Sequence, residues 1–361
     1  MAMKCRNTIT KVILLVLIII TLSISVFAGT KVGKISEIRG KVYLSVKGSD
    51  EKVKARIDAS VTENTYVYTL SKSSCKIKFN NGDVITLKEK TKVFVNEYYR
   101  GSKKDTSINV ALGSITAKIA HRGGNGAFNA YTPTAVAGVR GTEFDVTVGL
   151  DGSSQVAVNE GTVAVGNDTG EQEVSTGSKV QTDMGVDDQP VTQSSASAED
   201  FRKQSDRKVY DDPEGTMTAL KQRMEKQTAN EDTLEQKVNT LQGVEITEDN
   251  MNDVDQKIND VGRELQQSSA VADSIAVLAN EITEDKQLRK KKNELRTLAS
   301  SINDINNSYQ AVIDRMNMLF KAIDAAYEAK ADEINRAYDS VDQNIDNAFD
   351  NVEKNTEIKD K

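Results

Sequence analysis

Apolar residues change their spacing near residue 200, and this change dictates two different kinds of structure in one chain. Before that point they alternate with polar residues. Cys75-Ile77-Phe79, Ile85-Leu87, Ile108-Val110-Leu112 and Ile115-Ala117-Ile119 all step by two, the period of half-buried strands. Turn signals such as Asn80-Asn81-Gly82-Asp83 separate them. After that point the steps are three and four. Met251, Val254, Ile258, Val261 and Leu265 form one such stripe, and Leu295, Leu298, Ile302, Ile305, Tyr309, Val312, Met316, Leu319 and Ile323 form another. That is the seam of packed helices. The patterns predict a multidomain chain, an all-β roll, solenoid or sandwich over residues 31–182 followed by an all-α coiled-coil or helical-hairpin region over 200–361.

Residues 183–199, DMGVDDQPVTQSSASAE, are polar and turn-rich and read as a linker. Beyond them the spacing predicts helices near 200–242, 248–280 and 284–354, folded back on each other. The phrase EITED occurs at Glu245–Asp249 and Glu281–Asp285, where Thr247 or Thr283 is placed to cap a helix. Gly243 is placed to end the helix before the first phrase. The last helix repeats every eleven residues. Ala326-Tyr327, Ala337-Tyr338 and Ala348-Phe349 recur in frame with Ile323, Ile334 and Ile345, a period that winds nearly straight. Tyr327, Ile334, Tyr338, Ile345 and Phe349 are therefore candidate helix-association residues, with the upstream helices too short to cover all of them. Association into a homo-oligomer through this region is an expectation. A membrane-surface role fits less well, because the polar face is rich in Asp, Glu and Asn where such a helix favours Lys and Arg.

The N-terminus bears on compartment. Lys4, Arg6 and Lys11 precede an aliphatic run from Val12 to Ile20, and Val26-Phe27-Ala28 offers small residues before Gly29. This is the pattern of a secretory signal peptide over residues 1–28, cleaved after Ala28. The expected location is the periplasm, the outer envelope or the medium. The alternative is an inner-membrane protein held by an uncleaved N-terminal segment; if cleavage occurs, no stable membrane span remains. Removal of the leader takes Cys5 with it and leaves Cys75, whose place in an alternating strand marks it as a small core residue. The net charge of −7 and the absence of a basic stripe argue against nucleic-acid binding.

The stretch Thr132–Val148, TPTAVAGVRGTEFDVTV, carries a further signal. Phe144, Val146 and Val148 alternate, Asp151-Gly152 marks a tight turn, and Val156 and Val158 resume the pattern, which reads as a hairpin. A second turn at Asn159-Glu160-Gly161 leads to Val163 and Val165. Arg140 shares the parity of Phe144, and a bulge at Gly141 would release it to an edge or to a carboxylate such as Glu143 or Glu160. Thr132, Pro133, Ala135, Val139, Arg140, Gly141, Thr142 and Phe144, followed by the Glu160-Gly161-x-Val163 strand, resemble the signature of the FecR-type extracytoplasmic domain. The resemblance implies an exported β domain that binds another envelope component. It does not extend to sigma-factor control or iron sensing, because no helical region fits before the apolar segment and the C-terminal part is helical. Arg140, Gly141, Thr142, Glu143, Phe144, Glu160 and Gly161 are the candidate partner-binding or motif-building residues.

Catalytic patterns are missing. His121 is the single histidine, and neither a multi-His metal cluster nor a Gly-x-Ser-x-Gly elbow appears. The loop His121–Gly126 lacks the Gly-Lys-Ser/Thr of a phosphate-binding loop and reads as flexible. No cofactor or metal is expected, and no enzyme. Two functions stay open. One is an envelope interaction or sensory scaffold that binds another envelope protein. The other is a structural surface protein or adhesin, with a β head for a surface ligand and a helical stalk.

Overall fold

A computed structural model of the chain describes residues 30–47, 49, 51–100, 103–120, 128–139, 141–167 and 169–357. The leader at 1–28, Arg140 and the loop around His121 lie outside the described residues.

Strands over residues 31–193 form two sheets packed face to face. Across the first sheet the order is β4 (Ser60–Thr62), β1 (Lys31–Arg39), β6 (Ser74–Phe79), β7 (Val84–Leu87), β9 (Lys103–Lys118), β12 (Glu143–Val148), β13 (Ser154–Glu160), β16 (Lys179–Thr182) and β17 (Thr192–Gln193). Across the second it is β3 (Val53–Lys54), β2 (Val42–Val46), β5 (Thr65–Thr69), β8 (Lys92–Arg100), the same β9, β10 (Phe128–Tyr131), β11 (Val136–Val139), β14 (Thr162–Asn167) and β15 (Gly170–Ser175). Every pairing is antiparallel except β9 with β10. The expected β region is thus a sandwich, and one long strand belongs to both of its layers.

β9 changes sheet at Gly113. Its first half pairs with β8 and β10 and its second half with β7 and β12. Gly113 has φ +94°, and a Cβ there would lie 2.5 Å from Thr91 Cα, so the corner requires glycine. A register shift just before it leaves Ala111 without a partner opposite. The shift reverses the alternation. Ile108 and Val110 point into the sandwich, whereas Leu112, which simple parity groups with them, joins the helical core instead. The sandwich core is mostly aliphatic, with Ile35, Ile77, Ile85, Ile108 and Ile115 fully buried beside Phe128 and Phe144. Cys75 lies in it with its thiol pushed up to about 12 by burial, as expected of a core residue.

The helices are α1 (Ala198–Asp211), α2 (Pro213–Thr228), α3 (Glu231–Gln242), α4 (Met251–Glu284) and α5 (Lys292–Glu357), with a 3-10 turn over Lys286–Lys291. The helix expected over 200–242 is therefore three. It breaks at Asp212, whose carboxylate caps α2 at Gly215 N (2.9 Å), with Pro213 in the first helical position. Gly243 ends α3 as expected. The two EITED phrases behave differently. Asn250, not Thr247, sits at the start of α4, and Thr283 lies inside the last turn of α4, where its hydroxyl donates to Ala279 O at 2.8 Å. Asp285 caps the 3-10 turn instead.

α4 is the central helix, and Ser268–Ala279 is buried nearly all round. One side packs on the outer face of the second sheet and the other on α5. The molecule is therefore layered, first sheet, second sheet, then helices. The stretch 183–199 is fastened along its length. β17 pairs with β16, Met184 packs on the helical core, Ser197 caps α1, and Asp187 and Asp188 form ion pairs with Lys226 and Arg223.

Candidate functional site

The signature residues divide into turn builders and exposed groups. Thr132 closes the β10–β11 turn. Its backbone N–H (2.9 Å) and hydroxyl (2.8 Å) both donate to Ala135 O, and its hydroxyl accepts from Ala135 N at 2.9 Å. β11 lies in the second sheet and β12 in the first, so the chain must turn a corner between them. Gly141 stands at that corner with φ +66°. The feature expected as a bulge is therefore a crossing between layers. The register irregularity lies across the ladder, where Asn159 is the extra residue opposite Glu143 and Phe144. Thr142 is buried beneath the corner, and its carbonyl accepts from Ile119 N at 2.9 Å. Gly161 has φ +89°, and a Cβ there would come 2.7 Å from Thr142 Cγ2. Glycine at 161 is what lets the next strand leave for the second sheet. Phe144 is fully buried and meets Phe128 edge to face at 6.2 Å.

Two carboxylates border this corner. Glu143 and Glu160 face each other in register, and Glu143 pairs with Lys118 at 3.3 Å while Glu160 is exposed. Asp145 is bonded by Thr116, by Lys88 at 3.3 Å and by Asn159 at 3.2 Å. Arg140, placed by sequence among these acids, lies outside the described residues.

A second concentration of polar groups lies where α4 crosses the second sheet. Asn109 Nδ2 donates to Ala270 O at 2.9 Å, and Ser274 Oγ donates to Asn109 Oδ1 at 2.8 Å. Tyr131 OH donates to Gln266 Oε1 at 3.2 Å, and Lys92 pairs with Glu281. Asp273 is buried between α4, α5 and the sheet. Asn306 Nδ2 donates to its Oδ1 at 3.2 Å, and Lys47 Nζ lies 3.7 Å away. Burial holds the Asp273 carboxyl above its ordinary value, against the opposing pull of Lys47. Burial likewise pushes the nearby Tyr66 hydroxyl up, with the Asp273 charge adding to it. Lys47 also donates to Gln310 Oε1 at 3.0 Å and sits over the Phe94 ring. Sequence reading missed these residues. Their signal was weak, a polar Asp273 and Ser274 within the small and apolar run Ser268–Ala279.

The family model described as FecR: FecR protein matches residues 65–164. Residues 65–164 are thus similar to the FecR domain. The match runs from β5 to β14 and holds the signature turn, the layer-changing β9 and the aromatic outer face of the second sheet, where the Tyr66 ring meets those of Tyr68 and Phe94. β1–β4 and β15–β17 lie outside it and complete the same sandwich. FecR proteins are a regulatory, envelope-associated family and not a family of enzymes. No curated protein matches the chain. Two crystal structures of a proposed anti-sigma factor from Parabacteroides distasonis ATCC 8503 are loosely similar, at 14% identity and a TM-score of 0.32, covering 38% of this chain. The likeness spans 62% of that protein, less than two thirds of its length.

The C-terminal candidates are not equivalent. Tyr327 is buried, and its hydroxyl donates to Met251 O at 3.4 Å at the start of α4. Ile334 is half-buried, Tyr338 and Ile345 are exposed, and the side chain of Phe349 lies outside the described residues. Among the described residues no group of His, Cys, Asp and Glu is arranged to hold a metal, and no helix is long and apolar enough to cross a membrane.

Proposed function

We propose that this protein is a non-enzymatic, exported regulatory or sensory scaffold of the cell envelope. Its FecR domain (residues 31–182) and helical region (200–361), joined by 183–199, act as one body that binds another envelope protein. The FecR match carries this reading. The buried polar contacts between β9 and α4 support it further, because they dock the helices along the sandwich. A β head borne at the end of a helical stalk, the adhesin alternative, is less well served by helices that lie against the second sheet. The docked helix also occupies the aromatic face of that sheet, so the signature corner with Glu143 and Glu160 is the accessible part of the FecR motif.

The leader over 1–28 is part of the same proposal. Cell fractionation with N-terminal mass mapping, combined with photo-crosslinking from position 160 in living cells, tests it. The expected result is a chain starting at Gly29 in the envelope fraction, crosslinked to an envelope protein. A cytoplasmic chain with Met1 intact, or surface capture of matrix material with no envelope partner, refutes the scaffold reading.

A further inference from the structure

We infer that the free end of α5 is a self-association surface that pairs with the same segment of a second copy of this chain. The eleven-residue repeat supplies the first observation. Its first unit, Ile323 and Tyr327, is buried in the helical core, and Tyr327 marks the level at which α4 begins. The second and third units continue the same helix beyond that level. Tyr338, Val341 and Ile345 are 48%, 53% and 47% exposed there. The face that the bundle covers upstream thus runs on without a cover among the described residues.

The stripe itself says what covers it. Ile334, Tyr338, Val341, Ile345 and Ala348 step four, three, four and three, a narrow seam two residues wide in every seven, which suits another helix of the same kind. The positions flanking the seam are Asn335, Ala337, Asp342 and Asn344, mostly uncharged. Asp332, Glu333, Arg336, Asp339 and Asp346 lie on the opposite side of the helix. A basic partner helix would be met by a row of carboxylates beside the seam, and of these four positions only Asp342 carries one. An anionic membrane would be met by a broad apolar face fringed with Lys and Arg, and the free side is acidic instead. A second copy brings matching apolar residues and flanks that are neutral apart from Asp342, and its carboxylates at Asp332, Glu333, Asp339 and Asp346 point away from the contact. The exposed seam from 334 to 348 is only about 22 Å long at 1.5 Å per residue. Its helix is nevertheless already formed by the bundle, so pairing carries no helix-nucleation cost.

Sedimentation velocity and light scattering on the full chain over a dilution series test this, beside Tyr338→Asp/Ile345→Asp and Tyr338→Leu/Ile345→Leu. The expected result is a concentration-dependent oligomer for the native chain. The Leu pair keeps it, and the Asp pair weakens it about a hundredfold with unchanged helicity. Val341→Cys in the full chain provides a second reading that needs no loss of stability. Under mild oxidation it should crosslink to itself across the seam, whereas the chain without this substitution does not. A native chain that stays monomeric at every concentration overturns the inference. So does an oligomer indifferent to the Asp pair and silent in the cysteine crosslink, which places the contact elsewhere. A monomer that sediments with anionic phospholipid vesicles, and loses this with the Asp pair, assigns the stripe to lipid and overturns it as well.

Discussion

A backbone angle at Gly141 carries the chain from one sheet to the other. At φ +66° a β-branched residue is strained, with cost of order 1–3 kcal/mol. Gly141→Val is therefore expected to lower the stability of the chain by about 2 kcal/mol, measured by chemical denaturation. An unchanged midpoint contradicts the corner. Asp273 acts in the opposite sense. Its folded pKa is raised by burial above the ordinary 3.8, so it binds its proton more tightly in the folded state. Its favourable contribution is full below pH 3.8 and is lost as pH rises through the raised value. Lys47, Asp314, Asn306 and Tyr66 face it, and Lys47 offsets only part of the cost. Asp273→Asn keeps the size and removes the charge. Across a pH series of unfolding curves, the variant should gain on the native chain as pH rises above 3.8 and then level off. A difference independent of pH rules out a titrating Asp273.

Among the elements, α4 decides the architecture. Gln266, Ala270 and Ser274 lie one above the other at intervals of four, and the small residues among them let the helix sit close on β9. Asn109 answers this row with both atoms of its amide. Asn109→Ala leaves buried Ser274 and the Ala270 carbonyl without those partners, at an expected cost of about 2 kcal/mol. Limited proteolysis should then cut the 183–199 stretch faster, since docking of the helices holds it in place. Equal protection in the two chains contradicts a docking role. The heptad steps of α4 were legible as a helix from sequence, but they describe only one of its sides. The run Ser268–Ala279 is small and apolar all round, the signature of a helix covered on every side, and a two-helix seam does not account for it. The second EITED phrase shows a related limit. Its capping chemistry is the same as that of the first, yet tertiary packing of Ile282 and Thr283 extends α4 through it.

At the scale of the whole molecule, the sandwich core and the helical core are stitched together by Leu112 of β9 and Leu150 of the β12–β13 turn, which the sandwich contributes to the helical side. A fragment of residues 198–361 is therefore expected to melt below the intact chain, because it exposes the sheet-facing side of α4. An unaltered melting temperature indicates that the helices need no sheet. The sequence by itself determined which segments become strands and which become helices, through the two hydrophobic periods, and it located the turns at Asp151-Gly152, Gly161 and Gly243 through residues suited to them. It marked the FecR signature, and it marked Cys75 as core. Those features are local, set by a few residues of neighbouring chain. Only the tertiary structure decided that β9 serves both sheets, that Leu112 turns away from Ile108 and Val110, and that α4 lies on the sandwich instead of leading away from it. Each depends on a partner distant in sequence, Thr91 against Gly113, Lys92 and Val93 across the Ala111 shift, and Asn109 against Ala270 and Ser274. No period within a single segment records what will lie on its other face.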